Sequence, residues 1–114
     1  MSDANELLYP SLRQLVTQIK AINRGWKVAG NLYGNNSPLS TSSRDLKSCL
    51  QVRLLRNYAP KQVYLIIDEQ AKGEQLYSLR LREAIDKYED ADHIPVREAK
   101  EILTLQEINK FSQK

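Results

Sequence analysis

The chain has 114 residues, of which 41% are hydrophobic and 27% charged, with a formal net charge of +3. That length suits one domain, 1–114, with a core of its own, and no apolar run approaches the roughly 20 residues of a membrane-spanning helix, which argues against membrane insertion. A single cysteine, Cys49, excludes an internal disulfide and a cysteine-rich zinc site and reads as a small hydrophobe.

The amino-terminal MSDANELLYPSL has neither a basic start nor an apolar signal core, so the expected location is the cytoplasm. Leu12, Leu15, Val16, Ile19 and Ile22 recur at helical spacing, with Pro10 near the helix start, where a missing amide hydrogen costs little. Gly25 follows Arg24 where a left-handed cap would stop that helix, so its end is expected near Arg24. Trp26, Val28 and Leu32 then alternate with Lys27, Ala29 and Asn31, the pattern of a short strand weakened by Gly30. GNNSPLSTSS, residues 34–43, is a polar turn-forming run and the clearest loop.

Ser43 is placed to cap a second helix from Arg44, with an apolar stripe of Leu46, Cys49, Leu50 and Leu54 widened by Val52 and Leu55. Pro60 ends it by pushing Ala59 away from helical angles. The words VAGN at Val28–Asn31 and RDLK at Arg44–Lys47 resemble the first strand and helix of cyanobacterial clock proteins with a thioredoxin-like fold. That likeness leaves the first 25 residues unmatched, and nothing is carried over from it.

The most informative stretch is Lys61–Glu83. Val63 to Ile67 is an unbroken apolar run rich in β-branched residues, which suits a strand covered on both faces. Asp68 to Gln75 supplies a turn, in which Gly73 can take the positive φ that a bulged hairpin loop requires. On the return strand Tyr77, Leu79 and Leu81 face a core, while Ser78, Arg80 and Arg82 face the other way. Tyr77, Leu81, Ala84, Ile85 and Tyr88 also fit a 3.6-residue stripe, so residues 76–88 leave strand and helix both open. Glu83 to Tyr88 is read as a short helix, followed by an acidic connector, Glu89 to His93. Pro95 then restarts a helix with Val96, Ala99, Ile102 and Leu103 on its core face. Thr104 to Glu107 has the form of a capping box for a last helix docked by Leu105, Ile108 and Phe111.

Charge is unevenly distributed. From Leu12 to Lys61 the cations Arg13, Lys20, Arg24, Lys27, Arg44, Lys47, Arg53, Arg56 and Lys61 face one acid, Asp45; from Glu83 to Glu107 the acids dominate. Such asymmetry points to an electrostatic partner or to attraction between the two segments. The chemistry for catalysis is thin. His93 is the only histidine, set among carboxylates that could raise its proton affinity, and Asp90, Asp92 and His93 lack the spacing of a metal loop. Asp68 and Glu69 stand at a strand end where metal-dependent nucleases present carboxylates, but no third acid or spaced lysine completes the set. The glycines are too scattered for a phosphate-binding loop.

The expected architecture is therefore α+β, helices packed on a small antiparallel sheet containing a β-hairpin, with an all-α bundle as the alternative. A two-stranded hairpin is marginal alone, so either the Trp26 segment adds a third strand or another copy pairs with its edge, which raises a homodimer. The expected function is a small non-catalytic binding or regulatory domain, without cofactor or metal. Its basic surface of Arg44, Lys47, Arg56, Lys61, Arg80 and Arg82 would contact an acidic protein partner. DNA or RNA binding is the alternative, with Tyr33, Tyr58 and Tyr64 available for stacking, and a metal-dependent nuclease is the remote one.

Overall fold

The computed structural model describes residues 11–34, 37–69 and 72–112. The place of Pro10 at the helix start, and the Asn35, Asn36 and Ala71 positions of the two expected turns, lie outside the described residues.

Helix α1 spans Leu12–Tyr33. Ser11 opens it with a capping box: its hydroxyl accepts from the Gln14 N–H at 3.1 Å, and the Gln14 side-chain oxygen accepts from the Ser11 N–H at 2.8 Å. The helix does not stop at Arg24, and the segment from Trp26 to Leu32 is helix, not strand. The reason is that Ile22, Trp26 and Ala29 prolong the Leu15 and Ile19 stripe by further turns, and burying that stripe outweighs the ~1 kcal/mol that each internal glycine costs. Gly34, with φ 92°, is the true cap, and its N–H donates to the Gly30 carbonyl at 3.0 Å.

Helix α2 spans Pro38–Tyr58 and returns antiparallel to α1. It begins six residues before the expected start at Arg44, because Ser37 accepts from the Ser40 N–H at 3.2 Å and Pro38 sits at the first helical position, where its fixed φ is already helical. The 34–43 loop is correspondingly reduced to its first residues. Ala59 ends the helix in extended conformation before Pro60, as the sequence predicts. The inner face of α2 is unexpectedly polar: Ser40, Lys47, Ser48 and Gln51 are buried beside Val52, Leu54 and Leu55, whereas Leu46 is 51% exposed and Cys49 is exposed.

Three strands follow, β1 (Val63–Ile67), β2 (Leu76–Ile85) and β3 (Tyr88–Pro95), in an antiparallel sheet ordered β1-β2-β3. The hairpin has the expected register, Val63 opposite Leu81, Leu65 opposite Leu79 and Ile67 opposite Tyr77, and Gly73 takes φ 85° in its connection. β1 is covered on one face only, since Ile66, on the face opposite Val63 and Leu65, is 43% exposed, and the core face itself opens at the strand end, where Ile67 is exposed. Residues 83–88 are not a helix. β2 runs on to Ile85, Asp86 and Lys87 take φ 49° and 73°, and Ile85 pairs with Tyr88 across this two-residue turn. The third strand is thus the acidic segment read as a connector.

β3 carries a bulge. Ser78 faces His93 and Arg80 faces Asp90, so β3 has one residue more than β2 over that interval, and Asp92 absorbs the difference at φ 64°. Both sheet edges are partly capped: the Gln51 amide donates to the Ala91 and His93 carbonyls at 2.9 and 3.0 Å, and Ser112 forms a parallel bridge with Leu65.

Helices α3 (Val96–Ile102) and α4 (Leu105–Phe111) complete the chain, α4 opened by the expected capping box, in which Thr104 and Glu107 exchange hydrogen bonds of 3.0 Å. Their core residues are Val96, Ala99, Leu103, Ile108 and Phe111; Ile102 and Leu105 are exposed, contrary to expectation. Leu15, Val16 and Ile19 of α1, Leu54 and Leu55 of α2, and Val63, Leu65, Leu79 and Ile94 of the sheet form the centre of the core. Four helices on a three-stranded antiparallel sheet, counted over the described residues, make the fold α+β. Among those residues no helix is long and apolar enough to cross a membrane.

Candidate functional site

The alternation that buries Leu65, Leu79 and Leu81 turns Tyr64, Ile66, Ser78 and Arg80 to the opposite face of the sheet, where they meet His93 from β3. These side chains line an open trough of about 980 Å³. One end of the face is organised by Arg82. Its guanidinium lies 4.4 Å from the centre of the Tyr64 ring, and its Nε donates to the Pro60 carbonyl at 3.0 Å. At the other end His93 Nε2 is 2.8 Å from Asp68 Oδ2. Between them stands Arg80, half-buried and, among the described residues, without a hydrogen bond or ion pair of its own.

A second concavity, of about 410 Å³, lies between the helix pair and the β3–α3 corner. Its rim is built on ion pairs. Lys20 of α1 holds Asp90 at 2.9 Å and Asp92 at 2.6 Å. Burial opposes the Lys20 charge, but the hydrogen bonds to Asp92 and Asp90 outweigh it and hold the ammonium above its ordinary value. Burial likewise works against the charged Asp90, yet Lys20 and the Asp92 backbone N–H bring that carboxyl below the usual range.

Lys47 points into the same space, 8% exposed, and donates to Asn23 Oδ1 at 3.0 Å with its Nζ 5.2 Å from the Trp26 ring centre. Burial pushes its ammonium below the ordinary lysine value. Arg44, one turn earlier on α2, has its Nε 3.9 Å from Glu98 Oε1, beyond hydrogen-bond length, and that buried Nε has no acceptor. Ser48 donates to the other Glu98 oxygen at 3.4 Å.

The six basic residues expected on one surface are divided among three places. Arg80 and Arg82 share the sheet's outer face, and Lys61 lies in the connection whose Pro60 and Gln62 carbonyls Arg82 engages. Arg44 and Lys47 belong to the inner cavity. Arg56 is tied up in an exposed ion pair within the chain: it grips Glu107 with Nε at 2.8 Å and Nη2 at 3.2 Å, and this pairing, with the Thr104 N–H, holds the Glu107 carboxyl down at about 2.

His93, expected in a connector, is a strand residue, and its pairing with Asp68 joins the histidine to the carboxylate considered for a nuclease. Among the described residues no three His, Cys, Asp or Glu side chains gather to hold a metal ion. Sequence reasoning missed Asn23, Ser48 and Glu98 at the inner cavity. Arg44 and Lys47 carried a signal there as members of the basic set, and Trp26, the chain's sole tryptophan, was read as a strand residue. No protein family, curated protein or solved structure matches the chain.

Proposed function

We propose that this chain is a non-catalytic, cytoplasmic binding module that holds an acidic segment of a protein partner against the outer face of its sheet. The observation that carries this reading is Arg80. It is a half-buried guanidinium at the middle of an open trough, with five donors and no acceptor among the described residues. A carboxylate can take such a fork in a bidentate pair, and neighbouring Ile66 offers apolar contact for the side chain beside it. The Tyr64–Arg82 stack and Lys61 extend the positive character along the same end of the face.

The partly capped edges support docking across the face over addition of a strand. Gln51 occupies the Ala91 and His93 carbonyls of β3 and Ser112 bridges Leu65 of β1, so an incoming peptide meets an interrupted ladder on each edge. Fluorescence anisotropy with labelled acidic peptides and with single- and double-stranded DNA and RNA, at low and near-physiological salt, tests the reading. Acidic peptides bind, and Arg80→Ala weakens them by about tenfold or more, as expected for loss of a bidentate charged contact. Peptide affinity unchanged in Arg80→Ala removes the proposal, and steeply salt-dependent binding of oligonucleotides alone replaces it with nucleic-acid recognition.

A second reading, self-association, rests on the helix pair. Ala21, Gly25, Val28 and Leu32 of α1, and Leu39, Ser42, Leu46 and Cys49 of α2, recur at alternating four- and three-residue spacing, and all are exposed. That is the seam spacing of paired helices. Two helices about 30 Å long and 10 Å wide offer roughly 600 Å² per copy, near the ~800 Å² per partner of a standard interface, so a second copy of this chain is the occupant this face fits. Sedimentation velocity checks it: a dimer that dissociates in Leu46→Glu supports the reading, and a monomer at every concentration ends it.

A further inference from the structure

The cavity between the helix pair and the β3–α3 corner contains a buried cation, Lys47, with no ion pair of its own among the described residues. A buried ammonium either gives up its proton or finds an anion, because the cost of stripping water from an unpaired charge is several kcal/mol. Lys47 is more than nine-tenths buried, and its hydrogen-bond partner is the neutral amide of Asn23. The carboxylates around the cavity act on Lys47 only from beyond ion-pair distance: Asp90 and Asp92 hold Lys20, with one Asp92 oxygen buried and unpartnered, and Glu98 faces Arg44 and Ser48. An ammonium has three hydrogens to donate; Lys47 gives one to Asn23 and lies beside the Trp26 ring, so it retains capacity for a further acceptor, as does the buried Arg44 Nε, which has none. Arg44, three residues earlier and on the same side of α2, brings a second guanidinium to that wall. Trp26, Leu76 and Pro95 supply the apolar part of the lining.

We propose that this cavity binds a small organic anion, with one carboxylate seated between Lys47 and Arg44 and a flat apolar body lying against the Trp26 indole. The volume of about 410 Å³ falls at the lower end of the range for small-molecule sites. A single charge fits better than a phosphate dianion, because Asp90, Asp92 and Glu98 line the same space and would repel the second charge. An apolar body distinguishes the ligand from acetate, since Trp26 and Leu76 would otherwise face water. The depressed ammonium of Lys47 is consistent with this arrangement: a bound carboxylate restores the charged form that burial disfavours. The cavity shares Asp90 and His93 with the lining of the outer trough, but Lys47, Arg44 and Trp26 line the cavity alone, so variants there test this site without touching the Arg80 contact of the acidic-partner reading.

The chain's one tryptophan makes the test direct, because the Trp26 indole N–H gives a single resolved signal in a nitrogen-15 correlation spectrum. Benzoate, acetate, inorganic phosphate and the uncharged benzyl alcohol are titrated separately into the full chain. Benzoate is expected to shift the indole signal saturably, with acetate and phosphate at least tenfold weaker and benzyl alcohol weaker still. Lys47→Met keeps the side-chain volume while removing the charge, and should lose benzoate binding by tenfold or more with the spectrum still dispersed. Arg44→Gln, at a more exposed position, provides a second variant expected to weaken benzoate in the same direction. No saturable shift with benzoate, equal binding of benzyl alcohol, tighter binding of phosphate, or undiminished benzoate binding in folded Lys47→Met would each overturn the assignment.

Discussion

Replacing Gln51 with leucine isolates the contribution of one amide that fastens α2 to the bulged strand. Gln51 is fully buried, and its Nε2 donates to the Ala91 and His93 carbonyls at 2.9 and 3.0 Å. In Gln51→Leu both carbonyls lose that donor at an edge with no other strand, which costs about 1–2 kcal/mol apiece. Two effects offset part of the loss. Gln51 Oε1 is already buried without a partner, and removing it returns about 1 kcal/mol. Leucine also fills a comparable volume, so no large cavity opens. The net expectation is about 2 kcal/mol of destabilisation. In urea unfolding, with a slope of about 1.5 kcal/mol per molar, the midpoint should fall by roughly 1.3 M with the slope unchanged. Gln51→Glu should be worse, because it sets an acceptor-only carboxylate against two carbonyl oxygens. Hydrogen exchange should show lost protection concentrated in β3. A midpoint within about 0.3 M of the parent for Gln51→Leu would refute the role of the amide as the cover of this edge.

Other substitutions test the charge network and the turn. Lys47→Met should raise stability by about 1 kcal/mol, opposite in sign to most core changes, because it removes a buried ammonium that has no direct ion pair among the described residues; urea unfolding gives the sign directly. Asp90 has a folded pKa below its ordinary 3.8, so its stabilisation is fully present above that value and lost as pH falls through the lower folded one. Asp90→Asn should therefore flatten the acid limb of the stability profile measured by thermal unfolding. Lys20 is raised above 10.5, so its contribution persists to that pH and declines only as pH rises through the higher folded value. Lys87→Gly should stabilise by about 0.5–1 kcal/mol, since Lys87 sits at φ 73° and glycine takes that conformation without a Cβ clash; a lower melting temperature would contradict it.

The hairpin was legible because its signals are local: an unbroken Val63–Ile67, a glycine at the turn and clean alternation from Tyr77 to Arg82. Thr104 and Pro60 likewise act over a single helical turn. Where the reading failed, a distant partner or a competing local signal decided. Gly25 has the chemistry of a stop, yet the Leu15, Ile19, Ile22, Trp26 and Ala29 stripe runs through it, and that period was the signal to follow. Ser37 and Ser43 are equivalent caps until Pro38 is weighed. The acids of β3 hide a strand because Asp90 and Asp92 find Lys20 some seventy residues away in sequence, and because Asp86–Lys87 makes its turn without glycine. The site divides in the same way. The outward row of Arg80 and Arg82 follows from strand alternation alone, whereas burial of Lys47 depends on Asn23, Trp26 and the β3 corner, none of which its own helix announces.

The bridge between Ser112 and Leu65 gives the domain a direction in time. On the ribosome, VYLII emerges before its β2 partner, and its other margin stays open until the segment beyond α4 arrives. An apolar, β-branched window without charge or proline is the kind of segment that recruits other nascent chains. Trimming the chain just short of Ser112 should therefore reduce the soluble yield of newly made protein more than it lowers the melting temperature of what does fold.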